Sequence, residues 1–238
     1  MKLDILAFAA HPDDTELSCA GTLATHIRKG YQVGVVDLTA GELGTRGSDE
    51  IRAKEAAESA KILGLTVREN LKLADGFFQN DKQSQVALIK VLRKYQPDIV
   101  LINAPSDRHP DHGRAAQLEL DACFLAGLVK VETTWEGVKQ PHWRPKSVYH
   151  YIQSNFIQPD FIVDVTDSWD TKMQAIKSFK TQFFDPNSNE PETFISSPDF
   201  LNMIEGRAKD LGHSIGVGYG EGFIKVRNMG VSDLHQLL

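Results

Sequence analysis

Leu3-Asp4-Ile5-Leu6-Ala7-Phe8-Ala9-Ala10-His11-Pro12-Asp13-Asp14 is the stretch on which the fold turns. Residues 3–10 form a near-continuous apolar run that stops at His11-Pro12, which suits a β-strand buried on both faces. Downstream, Leu17, Ala20, Gly21, Ala24 and Ile27 recur at helical spacing within residues 15–29, and Gly30 fits the position just past a helix end. Residues 33–38 read as a second strand. Residues 48–63 read as a helix capped by Ser48 or Asp49, with Ile51, Ala56, Ala60 and Leu63 on one face and Gly64 ending it. A weaker third strand falls within 65–73, a helix within 83–95, and a fourth strand at 98–103.

This alternation implies right-handed crossovers and an α/β fold: a Rossmann-like, mostly parallel sheet flanked by helices, its strand order beginning 3-2-1-4. Strands one and four then lie side by side, about 5 Å apart, and ligands bind in the crevice outside their carboxyl ends. Beyond residue 113 the spacing predicts a helix at 114–128, a loop at 135–145, strands at 148–152 and 161–165, and helices at 168–183 and 198–211. A loop rich in Pro, Asn and Ser spans 185–198. With no repeat or linker in view, the expectation is a single domain over 1–238 with a C-terminal α/β elaboration.

Composition narrows the function. Hydrophobic residues at 41% and charged residues at 24% describe a soluble globular chain. A net charge of −6 without a Lys/Arg block argues against a nucleic-acid partner. No apolar stretch reaches the ~18 residues that span a bilayer, and residues 5–10 make a poor signal peptide, so the expected compartment is the cytoplasm. Cys19 and Cys123 lie in apolar, helix-like runs and read as small buried hydrophobes. Assembly into a homo-oligomer stays open.

Two motifs carry the chemistry. His11-Pro12-Asp13-Asp14 follows the first strand, and Asp107-Arg108-His109-Pro110-Asp111-His112 follows the fourth. Each alone reads as a turn. Placed at adjacent strand ends, they face one crevice and point to a metal or catalytic site. Catalytic zinc takes three protein ligands and leaves one position for water. Two histidines and one carboxylate supply that set, and a second carboxylate can take the water's proton. A remaining histidine can stabilise the intermediate or protonate the leaving group. Asp13 and Asp14 divide the ligand and base roles between them, and spacing does not say which takes which.

Ala10-His11-Pro12-Asp13-Asp14, followed by Glu16-Leu17 and Ala20-Gly21-Thr22, resembles the N-terminal signature of the LmbE-like, or PIG-L, family of N-acetylglucosaminyl deacetylases. His109-Pro110-Asp111-His112 resembles its second motif, and Gly41-Glu42-Leu43-Gly44-Thr45-Arg46-Gly47 and Glu221-Gly222-Phe223 extend the likeness. The whole chain is most similar to the bacillithiol-biosynthesis branch, which acts on N-acetylglucosaminyl-malate. The resemblance implies His11, Asp14 and His112 as zinc ligands and Asp13 as the base acting on the activated water. It implies His109 as the group that meets the oxyanion or the departing amine. Glu42, Arg52 and Asp75 match positions that touch the sugar or its aglycone. The implied partner is a small N-acetylglucosaminide; the metal is Zn2+, with Fe2+ accepting the same ligands.

Arg108 and Arg52 near the crevice suit the malate carboxylates, and Arg46 does so less well. Asp111 reads as an acceptor that orients an imidazole. Tyr149 and Tyr151 share a face and read as core packing. His26, His142, His213 and His235 read as surface residues. Chitobiose-type and mycothiol-type deacetylases are the nearest alternatives. A non-haem iron oxygenase would share the ligand types, but such enzymes use antiparallel barrels. A nucleotide-binding module would need Gly-x-Gly-x-x-Gly where His-Pro-Asp-Asp stands.

Overall fold

A computed structural model describes residues 1–183 and 186–236. Asp185, the first residue of the loop expected at 185–198, lies outside them. The first half of the chain is β1 (Ile5–Ala9), α1 (Asp14–Ser18), α2 (Ala20–Arg28), β2 (Val33–Thr39), α3 (Asp49–Leu63), β3 (Val67–Leu73), α4 (Lys82–Tyr95) and β4 (Ile99–Ile102). The second half is α5 (Pro110–Ala126), the short strands β5 (Thr134–Trp135) and β6 (Val138–Lys139), β7 (Ser147–Tyr151), β8 (Phe161–Asp164), α6 (Trp169–Lys177), α7 (Phe200–Ser214) and β9 (Gly220–Lys225). Seven strands form one mixed sheet in the order β3-β2-β1-β4-β7-β9-β8. The run from β3 to β7 is parallel, and β9 lies antiparallel between β7 and β8. The fold is the expected α/β one, with the 3-2-1-4 order. No helix among the described residues is long and apolar enough to cross a membrane.

Both faces of β1 are covered, which is why its sequence shows no alternation. Leu6 and Phe8 pack with Leu88, Leu92, Leu118 and Ala122 on one side, while Ile5 and Ala7 pack with Cys19, Leu23 and Tyr151 on the other. Burying a large apolar side chain of this kind stabilises by about 1.5–3 kcal/mol. Cys19 and Cys123 are buried and unpaired, as expected. Ser48 caps α3 by accepting the Ile51 N–H, and Gly64 closes it with φ of 76°.

Five readings change. The helix expected over 15–29 is broken at Cys19 (φ −140°), so that α2 begins at Ala20. The break lets the carboxylate of Glu221 on β9 accept the Gly21 and Thr22 N–H groups, at 3.0 and 2.7 Å. A side chain at position 21 would meet Val165 Cβ at 2.8 Å. Second, the helix expected from 114 begins four residues earlier: Pro110 sits at the first position, where no N–H is needed, and His109 is the cap. Third, Glu136 and Gly137, both with positive φ, fold part of the expected loop into the β5–β6 hairpin. Fourth, β9 departs from the expected pattern, because Gly220-Glu221-Gly222 hides it. Helix α6 also ends at Lys177, short of the expected 183.

The β4–α5 connection buries an unusual group. Glu119 on α5 is fully buried, accepts the Asn103 N–H at 2.8 Å through Oε2, and leaves Oε1 without a partner among the described residues. Burial raises its carboxyl from 4.5 to about 8. The unfolded chain therefore gives up this proton first: the stabilising contribution is complete below about pH 4.5 and is lost as pH rises through about 8. Urea unfolding between pH 5 and 8.5 should show stability declining in the parent and a flatter profile in Glu119→Gln. Parallel declines would remove Glu119 as the cause.

Candidate metal centre

The carboxyl ends of β1 and β4 are adjacent, with Ala7 opposite Leu101, and each strand delivers one motif. Between Ala10 and Asp14 the chain makes a tight turn in which His11 N–H donates to Asp14 Oδ2 at 2.9 Å. Asp13 holds φ of 120°, a region costly to a side-chain-bearing residue by about 1–3 kcal/mol. Arg52 from α3 holds this turn: its guanidinium donates to Pro12 O at 3.1 and 2.9 Å and to Asp13 Oδ2 at 2.9 Å. The second motif starts α5, so His112 projects from the first turn of a helix.

The two motifs meet. Asp14 lies between two imidazoles, its Oδ2 3.6 Å from His11 Nδ1 and its Oδ1 3.2 Å from His112 Nε2. His109 closes the third side, with ring centroids 4.7 Å from His11 and 5.1 Å from His112. One ring nitrogen from each of these histidines lies within 4.8 Å of the others. Two imidazoles and one carboxylate converging on a cavity are the donors a catalytic zinc takes, so the residues present fit a divalent cation. The opposite faces of the imidazoles are held as well. His11 Nε2 lies 3.0 Å from Asp75 Oδ1 and 3.2 Å from Asp111 Oδ2, and His112 Nδ1 lies 2.6 Å from Asp107 Oδ2. A carboxylate behind a ligating imidazole fixes its ring and tautomer.

This crowding sets the electrostatics. Burial would depress His112, but Asp14 and Asp107 outweigh it and raise it to about 9. Burial likewise works against His11, and Asp111, Asp14 and Asp75 together raise it well above its ordinary value. Asp14 is pulled well below the usual carboxylate range by the two imidazoles, against the effect of its burial. Asp13 goes the other way: burial lifts it to about 6, opposed by Arg52. His109 is lowered by burial and by the two neighbouring histidines. Its Nδ1 accepts the Asp111 N–H at 3.2 Å, so in the neutral ring the proton sits on Nε2.

A cavity of about 360 Å³ opens over this cluster. His11, Asp13, Asp14, Arg52, Asp75, Arg108, His109 and His112 all line it. Glu42 does not: it is exposed, and its Oε1 accepts the Asp75 N–H at 2.8 Å. Arg108 lies over the Phe194 ring at 4.2 Å. Arg46 is buried beside Ser188 and Glu190, at 2.9 and 3.4 Å, and pins the described part of the 185–198 loop, from which Thr193, Phe194 and Ile195 reach the cavity wall. Asp111 Oδ2 lies 3.2 Å from His11 Nε2. Tyr151 is buried with its hydroxyl donating to Phe8 O at 2.9 Å, and Tyr149 packs edge-on against Phe161. His142, His213 and His235 are exposed, whereas His26 is half-buried and bonds Thr22 O.

Sequence reasoning gives no role to Asp107, Asn103 or Gln153. Asn103 and Gln153 touch Asp14 with their side-chain amides, at 3.4 and 3.0 Å. Asp107 carries a usable signal, five residues before His112 in the same motif; Gln153 carries none.

The chain is similar to several known proteins. The family model described as PIG-L, GlcNAc-PI de-N-acetylase, matches residues 6–123. An uncharacterized deacetylase, YaiS of Escherichia coli, is 33% identical over 60% of this chain and 85% of its own. A diacetylchitobiose deacetylase of Thermococcus kodakarensis is 28% identical over 75% of this chain and 70% of its own. A probable N-acetyl-alpha-D-glucosaminyl L-malate deacetylase of Bacillus subtilis is 24% identical over 76% and 84%. The crystal structure of the conserved protein TT1542 from Thermus thermophilus superposes with a TM-score of 0.85 at 32% identity, covering 97% of this chain and 98% of that one. The chain belongs to the PIG-L/LmbE-like family of deacetylases.

Replacing Asp107 by Asn leaves the His112 ring free to take the wrong tautomer. Zinc affinity, measured by competition with a chromophoric chelator, should fall by roughly 10- to 100-fold. An unchanged affinity would show that the 2.6 Å contact does not orient the His112 ring for metal.

Proposed function

We propose that this family member hydrolyses the N-acetyl group of an N-acetylglucosaminide, with N-acetylglucosaminyl-malate as the substrate. The observation that carries the reading is the carboxylate of Asp14 held between the imidazoles of His11 and His112, with Asp13 and His109 on the same cavity. In this reading His11, Asp14 and His112 hold the cation. Bound there, a divalent metal polarises an acetamide carbonyl and lowers the pKa of water towards neutrality.

The chain's own groups supply the rest. Asp13 takes the proton from the attacking water at its carboxylate. Burial that lifts it to about 6 makes it a stronger base than an exposed aspartate, still ionised at neutral pH. Arg52 keeps that charge from being neutralised outright and fixes the carboxylate's direction. His109, with its ring proton on Nε2, donates a hydrogen bond to the oxygen that gains charge, and the proton that Asp13 took from water passes to the departing amine nitrogen as the C–N bond breaks. Burial and the neighbouring His11 and His112 lower the pKa of His109, which keeps the ring neutral and its Nε2–H a hydrogen-bond donor.

Arg108 supports the malate aglycone. It is exposed at the cavity rim and stacks on Phe194, which leaves its fork of donors for a carboxylate. The likeness to a malate-glycoside deacetylase points the same way. A neutral chitobiose would make no use of that charge.

Three acetylated substrates separate the branches: N-acetylglucosaminyl-malate, N,N'-diacetylchitobiose and N-acetylglucosaminyl-inositol, each incubated with zinc-loaded protein while acetate is measured. The malate glycoside should give the highest kcat/KM; preference for either neutral glycoside would reassign the branch, and no acetate from any would sink the deacetylase reading. Asp13→Ala should retain its metal and lose turnover on the order of 100- to 10,000-fold. His112→Ala should lose both. In the parent, kcat/KM should fall as pH drops through about 6, where Asp13 becomes protonated.

A further inference from the structure

The three residues after β7 and Ile152 reach both of the imidazole–carboxylate contacts from behind. Gln153 is buried, and its Nε2 donates to Asp14 Oδ1 at 3.0 Å. The orientation of that amide is fixed, since its Oε1 accepts from both Asn103 Nδ2 and the Ala104 N–H at 3.0 Å. Two positions on, the Asn155 N–H donates at 2.6 Å to Oδ1 of Asp107, whose Oδ2 holds His112 Nδ1. One short segment thus carries a donor to Asp14 and, one residue removed, a donor towards His112.

That segment has no regular strand pairing of its own and needs an anchor. Arg207 on α7 provides it: one arm of the guanidinium donates to Gln153 O and the other to Ser154 O at 2.9 Å. The rigid fork of a guanidinium fixes two successive carbonyls at once, which an ammonium cannot do as well. The same helix places Phe200, Met203 and Ile204 on the cavity wall.

We infer that Gln153 and Arg207 are positioning residues: a brace from α7 through residues 153–155 sets the spacing of Asp14 and His112, and with it the affinity for a cation that neither residue touches. The inference rests on the metal reading above. It concerns distances between ligands. A ligand carboxylate with a free rotamer must be ordered at the moment of binding, and neutral amide donors order it without cancelling its charge.

The test is zinc affinity of the full chain, by chelator competition at constant pH, with melting of the metal-free protein as control. Gln153→Met and Arg207→Met keep bulk and remove the donors; Arg207→Lys restores part of them. Affinity should weaken on the order of 10- to 100-fold in the two Met variants and by less in Arg207→Lys, while metal-free melting stays near the parent's. Met variants within about twofold of the parent overturn the brace, as does weakening confined to variants whose metal-free melt is no longer cooperative. If Gln153→Met does not fold, the two Arg207 variants decide. A parent that takes up no divalent metal overturns the metal reading along with the brace, whereas a zinc-binding parent with unaffected variants overturns the brace alone.

Discussion

Crowding of carboxylates in a buried space is the constraint that the rest of the molecule answers. Asp13, Asp14, Asp75, Asp107 and Asp111 surround two imidazoles at one end of the sheet, and like charges at these distances repel strongly when water is scarce. Four of these carboxylates have a specific counterweight. Arg52 takes Asp13, Arg114 takes Asp111 at 2.6 Å, the Leu43 N–H takes Asp75, and the Asn155 N–H takes Asp107. Asp14 instead faces two imidazoles and accepts from the His11 N–H and from the side-chain amides of Asn103 and Gln153.

The scaffold behind the centre repeats the device. Arg68 on β3 grips Asp37 with two bonds, at 2.9 and 3.0 Å, and reaches Glu16 at 2.5 Å, where Ser59 also donates. Glu16 lies on α1, directly after the first motif, so this network ties the His11–Asp14 turn to β2, β3 and α3. On the other side, Lys172 of α6 meets Glu221 at 2.6 Å, and Glu221 in turn satisfies the start of α2. Losing one partner of such a buried pair costs about 3–5 kcal/mol, because the other charge is left unpaired. These pairs therefore act as registration points, holding the helices that carry the motif at fixed positions on the sheet.

Legibility tracks locality. Helix α3 is readable with both caps because Ser48 and Gly64 act on their own helix. The start of α5 is misplaced even though Pro110 is a strong local signal, since the His-Pro-Asp-His pattern invites a loop reading. Strand β9 escapes for another reason: two of its first three residues are glycines, and it becomes a strand through pairing with β7 and β8. The break at Cys19 depends on Glu221, which is distant in sequence, and no spacing rule within residues 15–29 contains it.

By itself the sequence determined the α/β class, the neighbouring placement of the first and fourth strands, the family, and the His/Asp motif residues that meet at the cavity, because strand burial and those motifs are written in contiguous residues; Glu42 fell outside the cavity and Gln153 was not foreseen. Tertiary structure alone decided what holds those residues: Arg52 on the strained Asp13 turn, Asp107 behind His112, Gln153 on Asp14, and Arg207 behind Gln153. Such partners are single polar side chains brought together across the sheet. A hydrogen bond between residues far apart leaves no periodicity in either segment, so nothing short of the folded arrangement can reveal it.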